Sequence, residues 1–120
     1  MENNKPLSLK RNADFLRIKK SGRRFWASQW LLVNYTKSPT ETFNYVMTVS
    51  RKVGDAVVRN KLKRWTRENL RILVKNREIK IDVNFIFKVM PEGFYKKLLH
   101  SEFEKAILAA FAQIRKNHEK

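Results

Sequence analysis

Two stretches of this chain alternate side chains with period two, and a long helical pattern lies between them. In the first, Phe43, Tyr45, Met47 and Val49 alternate with Asn44, Val46, Thr48 and Ser50. In the second, Ile81, Val83, Phe85, Phe87 and Val89 alternate with Asp82, Asn84, Ile86 and Lys88. Successive side chains of a strand point to opposite faces, so each stretch reads as a strand with one buried face. A helix is predicted over 56–76, where Val58, Leu62, Trp65, Asn69 and Leu73 follow helical spacing with one polar break. Asp55, after Gly54, stands where an N-cap belongs, and its charge suits the positive end of the helix dipole. Strands joined through such a helical crossover are predicted to run parallel.

The remaining segments fill in around this unit. Asn12 is placed to cap a helix over 12–20, and Gly22 to stop it. Residues 30–35 read as a strand, with a further strand break hidden within 23–35. The segment 37–42 (KSPTET) reads as a hairpin loop, broken by Pro39. A last helix over 94–116 carries a stripe of Leu99, Phe103, Ile107, Phe111 and Ile114, read as core packing. Phe25, Trp26 and Trp30 are also read as core, the ordinary fate of aromatics beside a strand. The predicted class is α+β, one sheet packed by helices. Residues 9–116 form one domain, with a loose arm at 1–8 and a short tail at 117–120.

Charge limits the function. Among 120 residues, 27 Lys and Arg face 11 Asp and Glu, a net charge of +16. Such a surplus repels itself and calls for a polyanionic partner, nucleic acid first. The absence of cysteine excludes disulfides, thiolate metal sites and a Cys nucleophile, and it suits a reducing cytoplasm. Met1 to Leu9 has no apolar signal-peptide core, and no apolar run approaches the ~20 residues of a membrane span, so no membrane partner is expected. His100 and His118 lack a neighbouring acid and nucleophile. Asp14, Asp55 and Asp82 are scattered, without the spacing of a two-metal site. No catalytic residue and no metal site is expected in the protein itself.

The segment from Ser50 to Glu68 holds seven basic residues: Arg51, Lys52, Arg59, Lys61, Lys63, Arg64 and Arg67. Arg59, Lys63, Arg67 and Arg71 recur every four residues and form a basic ridge along one helix face. Like charges at this spacing destabilise a helix by a few tenths of a kcal/mol per pair. A phosphate backbone along the ridge reverses that cost, and arginine offers a planar fork for phosphate. An ordinary solvated face would intersperse Glu, yet Glu68 is the only acid between Asp55 and Glu78.

This segment resembles the signature of the ribonuclease P protein family. That signature is an Arg-Asn-Arg core in a helix that follows a Lys-x-Gly-Asn-Ala-Val segment. The matching residues are Lys52, Gly54, Ala56, Val57, Arg59, Asn60, Lys63, Arg64 and Arg67. Upstream, Leu9 to Gly22 resembles the family's first helix with its Asp-Phe pair, here Asp14 and Phe15; the LLHSEFEKAI segment is similar to its last helix. The resemblance covers roughly residues 9–115. The family's Gly-Asn is Gly54-Asp55 here, the third residue of the core is Lys61, and Lys19 stands where a second aromatic is common.

The resemblance implies an α/β sandwich: a sheet of about four strands, three helices and a left-handed β-α-β crossover, a fold shared with a ribosomal-protein domain. It implies a subunit that binds a catalytic RNA and precursor tRNA and assists removal of the 5′ leader, with cleavage carried out by the RNA using bound magnesium. Matching positions assign Arg59, Asn60, Lys63, Arg64 and Arg67 to RNA contact, and the surrounding charge adds Arg51, Lys52, Lys61 and Arg71. Phe15 is expected to line a cleft for the single-stranded leader, with Arg11 at its mouth. The rival readings are a basic ribosomal-type RNA-binding protein or RNA chaperone, a nuclease with its own active site, and a DNA-bending protein.

Overall fold

The computed structural model describes residues 7–8, 12–74 and 79–118. The two alternating segments become β4 (Asn44–Thr48) and β5 (Ile81–Phe87), parallel and directly hydrogen-bonded, with Tyr45 opposite Val83 and Met47 opposite Phe85. The helix between them is α2 (Ala56–Leu73), entered through a short 3₁₀ turn at Arg51–Val53. Asp55 caps it as expected: its carboxylate accepts the Val58 N–H at 2.9 Å. Gly54 is needed there for space, because a Cβ would stand 2.8 Å from Val58 Cγ1.

The hidden break within 23–35 is real. It separates β2 (Arg23–Trp26) from β3 (Leu31–Lys37), and the two pair as an antiparallel hairpin. The segment 37–42, expected to close a hairpin, does not. β5 inserts between β3 and β4, antiparallel to the first and parallel to the second. The reason lies in β5 itself. Five of its seven residues are buried, so its backbone groups need a ladder on each side. The connecting loop is held by its own hydroxyls: Ser38 Oγ accepts the N–H groups of Thr40 and Thr42, each at 3.3 Å.

The four-stranded mixed sheet gains a fifth, two-residue strand at its edge, β1 (Leu7–Ser8), parallel to β4. These two residues fall in the segment read as a loose arm; the open edge of β4 gives their backbone a partner. Helix α1 (Asn12–Ser21) begins at the residue expected to cap it and stops before Gly22, whose N–H donates to Ile18 O at 2.8 Å.

The predicted final helix is split into α3 (Phe94–Lys97) and α4 (His100–His118), so residues 117 and 118 of the expected tail are helical. The break changes the stripe. Leu98 is buried and Leu99 is 62% exposed, while Phe103, Ile107, Phe111 and Ile114 pack inward with Ala106 and Ala110. The kink lets Tyr95 reach the core, where its hydroxyl donates to Lys88 O at 2.5 Å. Glu102 then reaches back to accept the Leu99 N–H at 3.1 Å and caps α4.

One face of the sheet, carrying Leu31, Val33, Tyr35, Val83, Phe85 and Phe87, packs under α2 and α4. Phe103 stacks on Phe87 and Trp30 at its centre, with ring centroids 6.1 and 5.7 Å away. The alternate residues form the other face, which α1 crosses over β3 and β5. Gly22 makes that crossing possible: a Cβ there would stand 2.1 Å from Asn34 Oδ1 and 2.3 Å from Ile18 O. Gly22→Ala is therefore expected to destabilise the fold by about 2 kcal/mol or more. Urea unfolding checks this as a lower midpoint at unchanged slope.

Candidate nucleic-acid interface

Helix α2 separates its two tasks by side. Val58, Leu62, Thr66, Asn69 and Leu70 are buried against the sheet and α4. The two polar members return their hydrogen bonds to the helix: Thr66 Oγ1 to Leu62 O and Asn69 Nδ2 to Trp65 O, both at 2.8 Å. Arg59, Lys63, Arg67 and Arg71 leave that buried seam in steps of four, and with Asn60 and Arg64 they cover an arc of about 140°. Arg59 and Lys63 are half-buried at the seam, while Asn60, Arg64, Arg67 and Arg71 are exposed.

No carboxylate forms an ion pair with this arc among the described residues. The ion pairs found there all involve Arg17, with Asp14 and Asp82. Arg59 Nε donates to Gly54 O at 3.2 Å, which fixes its stem at the helix start and leaves the outer guanidinium nitrogens free of protein partners among the described residues. Arg51 and Lys52 are exposed on the 3₁₀ turn just ahead of α2 and extend the same basic surface.

Lys61 departs from this group. Its ammonium donates to Tyr95 O at 2.7 Å and stands 4.8 Å from the centre of the Trp65 ring. Burial, and secondarily repulsion from Arg64, holds it below the ordinary lysine range. It lies on the opposite edge of α2 from the ridge and ties the helix to α3. Sequence charge alone could not tell it from its neighbours.

The second candidate surface is the face crossed by α1. Arg17 reaches from α1 to the buried carboxylate of Asp82 and also pairs with Asp14. Burial works against the Arg17 charge, and the hydrogen bonds to Asp82 and Asp14 outweigh it, raising its pKa. The other Asp82 oxygen accepts Asn44 Nδ2 at 2.8 Å. Ile18 is buried beneath the helix. Phe15 is half-buried, outside the core cluster, on the flank of α1 opposite Arg17, one turn from Lys19. Arg11 lies outside the described residues. Beyond α1 the sheet stays open along a row in which Trp26 pairs with Leu32, Leu32 with Ile86 and Ile86 with Thr48.

The reading of the three aromatics as core holds for Trp30, which is buried, and for Phe25, which packs on Tyr35. It fails for Trp26, which is 55% exposed. With Phe25 turned inward, its neighbour on β2 must face out. His100, read as a surface residue, is exposed and meets the Trp65 ring edge-on at 4.9 Å.

The family model for ribonuclease P matches residues 4–114. The ribonuclease P protein component of Staphylococcus epidermidis is 36% identical over 72 residues, which span 60% of this chain and 63% of that protein. The match thus covers less than two thirds of that relative. The Macrococcus caseolyticus component is 32% identical over 103 residues, 86% of this chain and 85% of the relative. Among solved structures, the RNase P protein of Staphylococcus aureus superposes with a TM-score of 0.76 at 28% identity, over 90% of this chain and 94% of that one. The Thermotoga maritima protein gives 0.75 at 26%, over 86% and 93%.

The division on α2 has a measurable consequence. Arg67→Ala and Arg71→Ala are each expected to lower the slope of log affinity against log salt for a structured RNA by about one. Lys61→Met should leave that slope nearly unchanged and lower the unfolding midpoint instead.

Proposed function

The chain belongs to the ribonuclease P protein family, and from that premise we propose that it is the protein subunit of a ribonucleoprotein that removes the 5′ leader from precursor tRNA. The observation that carries this reading is the basic arc of α2, unpaired with any carboxylate among the described residues and set on a helix whose other side is locked in the core. Arg59, Lys63, Arg64, Arg67 and Arg71 hold the phosphates of a catalytic RNA, with Asn60 among them near the start of the helix and Arg51 and Lys52 ahead of it. Arginine forks take phosphate oxygens in pairs, which sets orientation as well as affinity.

The leader of the precursor tRNA, a single strand, takes the other surface. There Phe15 offers a ring and Lys19 a charge beside an open sheet face, the combination that binds unpaired nucleotides. The protein's part is to bind and orient. In this reading the RNA subunit holds the magnesium that supports cleavage. None of the described helices is long and apolar enough to cross a membrane, and the proposed setting is the cytoplasm, where both RNAs reside.

The deciding experiment is cleavage of precursor tRNA by a bacterial ribonuclease P RNA at limiting magnesium. Strong stimulation by the protein is expected, with no cleavage by protein alone. An unchanged rate with a cognate RNA would return the chain to the basic ribosomal-type RNA-binding proteins or RNA chaperones. Reversing charge at Arg59 and Arg67 together should abolish most of the stimulation. Phe15→Ala should weaken binding of precursor roughly tenfold while leaving leaderless tRNA unaffected; equal loss for both would make Phe15 a packing residue only.

A further inference from the structure

The face that α1 crosses is covered unevenly. Arg17 holds α1 over Asp82, near the start of β5, and Gly22 turns the chain into β2 beside Asn34. The other end of this face, where β4 and β5 both finish, stays open. There Trp26 ends β2 and Lys88 follows β5.

These two side chains meet. The Lys88 ammonium stands 5.5 Å from the centre of the Trp26 ring. With Ser28, Gln29 and Met90 they line an open recess of about 460 Å3. The backbone under it is fixed. The Lys88 N–H donates to Trp30 O at 2.9 Å, and Lys88 O accepts the Tyr95 hydroxyl. Ser28 Oγ accepts the N–H groups of Trp30 and Leu31 at 3.2 and 3.1 Å. An indole ring and an ammonium thus stand on a hydrogen-bonded corner of the sheet.

We propose that Trp26 and Lys88 form a nucleotide subsite, in which the indole stacks an unpaired base and Lys88 takes the adjoining phosphate. The inference deepens the reading of a leader-binding face and rests on it: the base belongs to the 5′ leader, at a position beyond the one Phe15 meets. Three features select this occupant. A largely exposed Trp keeps apolar area in water that a stacked base would cover. The ammonium is attracted by the ring in the free protein and more strongly by a full phosphate charge when one arrives. The recess also lies at the end of the sheet from which the chain leaves β4 into Arg51, Lys52 and the start of α2, so a leader seated there lies beside the surface proposed for the catalytic RNA. Stacking accepts any base, so the subsite gives length dependence rather than sequence preference.

The test uses the holoenzyme, assembled from this chain and a ribonuclease P RNA. Affinity is measured for a precursor whose leader is trimmed to a stub and for one whose leader is long enough to cross the open face. Trp26→Ala is expected to weaken the long-leader precursor roughly tenfold and spare the stub, with Trp26→Phe keeping most of the affinity. Lys88→Gln is expected to reduce the salt dependence of the long-leader precursor alone. Equal affinity of wild type and Trp26→Ala on the long leader would overturn the subsite, as would equal loss on both precursors, which would assign Trp26 to the fold or to a protein partner. If the wild-type holoenzyme did not distinguish the two leaders, the leader-binding face would fail first and the subsite with it.

Discussion

Asp82 is the node on which one whole side of the molecule depends. A carboxylate buried at the start of a central strand needs partners of opposite charge or good donors. It has both. Arg17 brings α1 onto the sheet, and Asn44 joins the neighbouring strand. Through the Asn44 amide the contact extends to Ser38 and Thr42, which shape the loop between β3 and β4. One charged group therefore fixes a helix, a strand pair and a loop. It also sets how much of the sheet α1 covers and how much it leaves for a ligand.

The molecule keeps its two kinds of basic residue apart. Arg17 and Lys61 are consumed by the fold, one by a carboxylate and one by a carbonyl and an indole ring. Among the described residues the cations of the α2 arc have no carboxylate or ring partner, and Arg59 alone gives one N–H to a carbonyl; the fold tolerates them because the other side of the helix is well buried. Their mutual repulsion is a standing cost that a phosphate chain would relieve.

Much of this was legible in the residues. The period-two stretches gave β4 and β5, and the crossover between them gave their parallel pairing. Gly54-Asp55 marked the start of α2. What stayed hidden was non-local. Nothing near residue 81 says that β5 enters between β3 and β4, because strand partners are chosen by burial of the whole sheet. The pairing of Arg17 with Asp82 spans 65 positions. Trp26 was misread because a four-residue strand is too short to display its alternation, and aromatics favour burial. Leu99 was misplaced because a helical stripe does not reveal a kink. The role of Lys61 depended on a carbonyl of α3, brought near only by that kink.

The strand at the centre of the sheet is the last of the five in the sequence. During synthesis β3 and β4 emerge first, and each must wait with an unsatisfied edge until the segment ending at Phe87 arrives. Folding of this chain is therefore a late, non-local closure rather than a hairpin-by-hairpin growth, and such closures are slow. Waiting strand edges invite pairing between neighbouring chains. The cations of the α2 segment are already present during that interval, and like charge on neighbouring chains opposes their association until β5 fills the gap.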